Sequence, residues 1–335
     1  MTYNNEDQVT VRWTHHATSP AARLATFGSR VLVRPVIAMW ARHPQWPWPY
    51  GLLELLAAVL PAVRGVERTR VRLPRCRAER QRPTGFVQGD AEPQAILYLH
   101  GGAFIVGGIN SHRRLVSRIV KATGVPALAV GYRQLPKTSI TTSLDDCLDG
   151  LRYLIDSGIE PRNVAVVGDS AGGYLALRVA MEAQRRGIGK LGAIGCMSPI
   201  IDLDPRAKLA VPGSSRDPLF PPEALTTIWS LIQAKEEDES ALEGLRSPAL
   251  ASSTELAQLP PLLIQVGSEE ILRTDAETSV ALSAAAGGNA RIQVFNGQIH
   301  VFQAGADIIP EGRLAIQHLS AHIVTSLARQ QARAA

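Results

Sequence analysis

Three cysteines, Cys76, Cys147 and Cys196, are all that a chain of 335 residues carries, and they stand far apart. An odd, scattered set of this kind argues against a disulfide framework or a thiolate metal cage, and fits buried thiols in a reducing compartment. Aromatic residues make up only 5%, and none interleave with the basic residues in the manner of a nucleic-acid-binding surface. No uninterrupted apolar run reaches spanning length, so no transmembrane helix is expected. The opening Met-Thr-Tyr-Asn-Asn-Glu-Asp lacks the basic start and apolar stretch of a signal peptide. The expected location is the cytoplasm. Internal repeats and low-complexity tracts are missing too.

An apolar share of 45% supplies a sizeable core. The length suits one α/β domain with insertions. The net charge of +5 is uneven, because residues 1–90 hold 13 Arg against 6 acidic residues. Arg68, Arg70, Arg72, Arg75, Arg77, Arg80 and Arg82 cluster where a first β-hairpin is expected. A solvated sheet edge explains that run, and no nucleic-acid partner is expected.

Taken in order, residues 20–63 are apolar and helical in pattern, with Trp46-Pro-Trp48-Pro-Tyr50 as a rigid turn and Pro61 as a stop. They precede the first expected strand and form a cap segment, residues 1–65. Packing onto the core is the expected role for most of it, with a substrate entrance or a membrane contact as further uses of its apolar surplus. Eight strands follow, near residues 66–73, 76–82, 95–99, 127–130, 164–167, 193–197, 262–266 and 291–295. Helical stretches separate most of them. This alternation predicts a mostly parallel sheet covered on both faces. Residues 204–257 interrupt the rhythm with Pro, Asp and a helix ending in Lys235-Glu-Glu-Asp-Glu, a second cap insertion within a core of residues 66–335. Thr274-x-x-Glu277 has the form of a capping box for the helix after the seventh strand.

Residues 163–181 organise the chain. Val164–Val167 is a buried strand, Tyr174–Met181 is helix-forming, and between them lies Gly168-Asp-Ser170-Ala-Gly172-Gly173. Small residues on either side of Ser170 permit a sharp strand-to-helix turn that leaves the serine strained and at the helix N-terminus. That is the context of a nucleophile elbow. A serine hydroxyl then needs a base, an orienting acid and donors for the developing oxyanion. His100-Gly101-Gly102-Ala103-Phe104 follows a buried strand and offers backbone N–H groups that converge with that of Ala171. His100 itself is expected to shape the loop. Of the eight histidines, His300 sits just past the last strand on a glycine-containing loop, where the base belongs. The acid stays open at this level: Asp275 falls inside the apparent capping box, where a helix dipole accounts for it, and Asp202 follows an earlier strand.

With these motifs in order, residues 66–325 resemble the hormone-sensitive-lipase-like family of α/β-hydrolases, bacterial esterases with an HGG motif. The likeness rests on His100-Gly-Gly-Ala-Phe, Tyr132-Arg133, Pro136, Gly168-Asp-Ser-Ala-Gly-Gly, Ser198-Pro199, Asp217-Pro218 and Gly297-x-x-His300-x-Phe. It implies an α/β-hydrolase fold with a helical cap and a serine esterase that uses no cofactor or metal. It places the triad acid thirty residues before the histidine, at Glu270, with Glu269 and Asp202 as rival placements. Three departures stand out: Ala103 for a third glycine, Gly131 for an aspartate, and glutamate for aspartate in the triad. The implied chemistry is attack by Ser170, proton transfer by His300, orientation by Glu270, and oxyanion binding by the N–H groups of Gly102, Ala103 and Ala171. The implied partner is a small-molecule ester with short to medium acyl chains, turned over by a monomer or homodimer. Lactone or amide hydrolysis is the alternative with the same machinery. A membrane-surface lipase and a non-catalytic receptor are more remote ones.

Overall fold

The computed structural model describes residues 12–85, 92–236, 242, 245, 248 and 251–332. The opening heptapeptide, and much of residues 237–250 with the end of the acidic run, lie outside the described residues. The strands are β1 (Arg12–His15), β2 (Val66–Arg72), β3 (Arg77–Pro83), β4 (Ala95–Leu99), β5 (Ala127–Gly131), β6 (Val164–Asp169), β7 (Ala193–Met197), β8 (Leu262–Gly267) and β9 (Ala290–Phe295). They form one sheet in the order β1-β9-β8-β7-β6-β4-β5-β3-β2, parallel throughout except that β3 runs against both β2 and β5. The sheet therefore has nine described strands where eight are expected. The extra one is the short β1, which pairs in parallel with β9 at the sheet edge. Four residues with no clean alternation, followed at once by a helix, carry too little pattern to announce it.

The helices are α1 (Pro20–Gly28), α2 (Arg34–Arg42), α3 (Leu52–Ala57), α4 (Ile109–Thr123), α5 (Ile140–Asp156), α6 (Ala171–Arg185), α7 (Arg206–Leu209), α8 (Pro222–Gln233), α9 (Ser253–Gln258), α10 (Arg273–Ala285) and α11 (Pro310–Ala332). Successive residues of β4 point to opposite faces, and each face is covered. Ile96 and Tyr98 pack beneath α4 and α11, while Leu97 and Leu99 pack beneath α5 and α6. Both faces being dry is why the central strands read as unbroken apolar runs.

The arginine-rich hairpin β2–β3 is the sheet edge that its charge suggested, with one exception. Arg80 is buried against Glu92. Cys147 and Cys196 are buried free thiols and Cys76 is half-buried. Burial drives the Cys76 thiol up to about 12, so it is a poor nucleophile at neutral pH. The capping box at Thr274 does not form. α10 begins at Arg273, uncapped, with Leu272 before it, so Thr274 and Asp275 already lie in its first turn. Glu277 instead pairs with Arg273 and Arg12.

Candidate active site

The carboxyl ends of β6, β7, β8 and β9 are laced together just beyond the sheet. Ser170 N–H donates to Met197 O (2.9 Å), Ser198 N–H to Gln265 O (2.6 Å) and Ser268 N–H to Phe295 O (2.9 Å). This ladder brings the loops after four strands to one edge. At its β6 end Ser170 has φ 52°, a left-handed conformation unusual for a serine, and α6 starts on the next residue. The close packing explains the glycines: a Cβ on Gly172 would stand 2.0 Å from Leu99 O, and one on Gly168 2.2 Å from Gly172 O. The strained serine anticipated from the sequence is present.

At the β9 end, His300 Nδ1 lies 2.9 Å from Glu270 Oε2. A carboxylate only accepts, so Nδ1 carries a proton, and in the neutral ring the lone pair is then on Nε2. The other oxygen of Glu270 accepts from Ser198 Oγ (2.7 Å) and Gly267 N–H (2.6 Å), so both oxygens of the buried carboxylate are hydrogen-bonded. Phe220 packs edge-on to the imidazole at 4.8 Å. Ser170, Glu270 and His300 are 3%, 6% and 9% exposed, so the constellation is covered. Ser170 Oγ has no hydrogen-bond partner among the described residues. Contacts between nucleophile and base are often long without substrate and tighten in the complex.

The rival acids are occupied elsewhere. The Asp275 carboxylate holds Lys208 Nζ at 3.0 Å. Asp202 accepts from Asp204 N–H, and Glu269 from the Ser268 hydroxyl beside it. None of them reaches His300.

The loop after β4 turns back through Gly102, Ala103 and Phe104, with φ of 113°, 55° and 62°. Gly102 O accepts the N–H groups of Ile105 and Val106, both at 2.9 Å. The N–H groups of Gly102, Ala103 and Ala171 have no acceptor among the described residues. The loop lies against the elbow: a Cβ on Gly101 would stand 3.0 Å from Ser170 Cβ. Asp169 ties the two together, its Oδ1 accepting from Gly101 N–H (3.1 Å) and Tyr98 Oη (2.6 Å). Burial alone would raise the Asp169 pKa, but His112 beside it and the hydroxyl of Tyr98 outweigh that and hold it below the usual range. His100 stacks on Tyr132 with centroids 4.2 Å apart, and burial lowers its pKa to about 4, so it stays neutral and shapes the loop. Tyr132 Oη donates to His100 O at 2.6 Å. The brace that Gly131 gives up is thus supplied by Asp169 and Tyr132. An aspartate at 131 would fit tightly, its Cβ 3.0 Å from Ile109 Cδ1 and 3.1 Å from Arg77 O.

Two supporting residues escaped the sequence reading as functional parts, although both lie in motifs quoted above. Ser198 is one. Asp217 is the other: its Oδ1 accepts from the N–H groups of Leu219 (2.7 Å) and Phe220 (2.8 Å), and its Oδ2 from that of Ile271 (2.8 Å). It therefore binds the segment carrying Phe220 to the residue after Glu270. Burial pushes its own pKa up, against those three donors. Asp217→Ala is expected to cost about 3 kcal/mol of stability by stranding buried N–H groups, and to lower turnover more than it raises KM. Chemical denaturation and steady-state kinetics check this; an unchanged denaturation midpoint would refute the bracing role.

A family model described as the alpha/beta hydrolase fold matches residues 96–304. A crystal structure of an esterase from the bacterial hormone-sensitive lipase family superposes with a TM-score of 0.76 at 28% identity, covering 93% of this chain and 100% of that one. The chain is a hormone-sensitive-lipase-like α/β-hydrolase. This hydrolase is 39% identical to the esterase LipU of Mycobacterium tuberculosis over 87% of its own length and 98% of the relative's. It is 34% identical to the carboxylesterase/phospholipase LipF of the same organism, over 95% and 85%. The crystal structure of EstE5 superposes with a TM-score of 0.80 at 27% identity, covering 93% and 100%. With this family and these relatives, the hydrolase is a carboxylic-ester hydrolase.

Proposed function

We propose that the hydrolase cleaves its esters through an acyl-enzyme on Ser170. The observation that carries this reading is the buried Glu270–His300 pair at 2.9 Å, on the same laced edge as a strained serine at a helix N-terminus. His300 Nε2 takes the Ser170 proton as Oγ attacks the acyl carbonyl, and returns it to the leaving alcohol. Glu270 fixes the tautomer and offsets the imidazolium charge. The N–H groups of Gly102, Ala103 and Ala171 receive the oxyanion, with Ala103 replacing a glycine at no loss of a donor. Water then enters by the same route in reverse and releases the acid. The steps draw on side chains, backbone and water alone.

Within residues 1–65 the strand β1 belongs to the sheet; the helices α1 to α3 after it and residues 204–257 act in this reading as two parts of a cap over the core. α2 packs on α8, where Thr227 Oγ1 donates to Ala41 O, and Ser29 Oγ donates to Pro218 O beside the Phe220 wall of His300. In this reading the cap closes over a mostly apolar pocket, which admits a small-molecule ester of short to medium acyl chain. Each methylene that fits should add about 0.8 kcal/mol of binding until the wall is met. On a p-nitrophenyl ester series, kcat/KM is therefore expected to climb and then fall sharply. A profile still rising at the longest chains would sink the confined pocket. Lactones and amides use the same triad, and a lactone panel run beside the esters separates them. A non-catalytic receptor on this fold is disfavoured because the base is in place. Among the described residues no helix is long and apolar enough to cross a membrane.

A further inference from the structure

The three N-terminal helices turn large apolar side chains to solvent, and α3 also turns its charge inward. On an ordinary surface helix the apolar stripe faces the core and charge faces water. In α3 and the turn after it, Leu55, Leu56 and Val59 are 70%, 64% and 83% exposed, while the one carboxylate, Glu54, points inward. Its oxygens accept the N–H groups of Asn110 (3.0 Å) and Ser111 (2.8 Å) at the start of α4. On α1, Leu24 and Phe27 are 71% and 63% exposed, and the same outward stripe continues through Leu32 and Val36 into α2. The expected packing of this segment onto the core holds only for its minor face, chiefly Ile37, Trp40, Ala41, Tyr50 and Ala57. Large apolar side chains exposed in such number on neighbouring stretches of chain mark an interaction site.

The free charge on these helices themselves has one sign. Between residues 16 and 65 stand Arg23, Arg30, Arg34, Arg42 and Arg64, no lysine, and no acid but the sequestered Glu54. Arg30 and Arg34 are held in place by the carbonyls of Arg216 (3.3 Å) and Ser215 (3.1 Å). From neighbouring elements, Glu223 lies 3.8 Å from Arg42, and Glu269 lines a groove of about 380 Å³ with Arg23 and Arg30. The balance remains cationic. A two-fold contact between copies through this face would set arginine against arginine. Exposed aliphatic side chains within a rim of arginines are instead the complement of a phosphate-bearing lipid surface.

We propose that α1, α2 and α3 dock the hydrolase onto anionic lipid surfaces. The same helices border the site. Thr26 Oγ1 donates to Gly297 O on the His300 loop (3.3 Å), and Glu54 holds the start of α4 just past the oxyanion loop. Docking therefore brings the mouth of the pocket to the layer where amphiphilic esters gather, and each substrate still enters singly. The proposal goes beyond the ester-hydrolase reading and does not depend on it.

The full chain is mixed with vesicles of phosphatidylcholine and phosphatidylglycerol, or of phosphatidylcholine alone, and sedimented. It is expected to sediment with the mixed vesicles and to be released by salt. The double variant Leu55→Gln/Leu56→Gln is expected to lower the partition coefficient by about tenfold or more. Its hydrolysis of p-nitrophenyl butyrate in solution should match the parent, which also certifies its fold. If the parent hydrolyses no ester yet sediments as described, the docking proposal stands and the enzymatic reading falls. A parent that stays in the supernatant with both vesicle types overturns the proposal. So does a concentration-dependent dimer that the double variant abolishes without any vesicle binding, since a second copy would then cover the patch.

Discussion

Ser170→Ala is expected to lower ester turnover by about 10³-fold or more while leaving the fold untouched. That is a loss of about 4 kcal/mol of transition-state stabilisation, since each tenfold step is about 1.4 kcal/mol. The two halves of the expectation come from the same observation. Ser170 Oγ makes no hydrogen bond to the described residues, so deleting it removes no structural contact. The backbone that matters, Ser170 N–H to Met197 O and Ile200 N–H to Ser170 O, is kept by alanine. Labelling by an organophosphate should vanish together with turnover, and the thermal midpoint should stay close to that of the parent. Labelling that persists on another serine would show that the nucleophile has been misassigned.

Glu270→Gln is expected to cost about 10³ to 10⁴ in turnover. An amide at this position can present its NH₂ to His300 Nδ1, which favours the tautomer protonated on Nε2, and that nitrogen can no longer take the serine proton. The amide also faces the Ser198 hydroxyl and Gly267 N–H, both of which now donate to Glu270 Oε1. One orientation of the glutamine meets those donors and the other meets the histidine, so either choice frustrates a contact. Glu269→Gln and Asp202→Asn should each be milder by at least about tenfold, because neither carboxylate touches His300. Kinetics of the three variants side by side decide the matter. A Glu269 or Asp202 variant as damaged as the Glu270 one would shift the triad acid.

Much of the site was legible because its parts announce themselves locally. Ser170 is recognisable from five residues and the strand and helix around them, and His300 from its place after the last strand. Glu270 came only through family likeness, since nothing local separates it from Glu269, and one position along a loop decides between burial and exposure. Parts that act across the chain were not legible as functional. Ser198 and Asp217 work through partners 72 and 54 residues away. The orientation of α3 illustrates a different limit. Its pattern shows one apolar face and one acid, and the ordinary expectation turns the leucines inward. Only the tertiary structure reveals that Glu54 is needed at the start of α4, which forces the leucines out. The strand count failed for lack of length, and the capping box failed because α10 starts two residues sooner than an N-cap at Thr274 would have it.

The Ser198 hydroxyl carries a consequence for proton traffic. It accepts from Val301 N–H at 3.0 Å and donates to Glu270, which accepts from the ring of His300, the residue next to Val301 in the chain. Those contacts close into a loop through the peptide bond between 300 and 301, and every hydrogen in it has its direction assigned, with the carboxylate as the common sink. Ser198 thus fixes the carboxylate from one side while the imidazole docks on the other, and turning the ring would break its bond to Glu270. In the proposed mechanism exchange with substrate falls to Nε2. With the triad as proposed, the proton has one gate, and the base would return to the same starting state after every turnover.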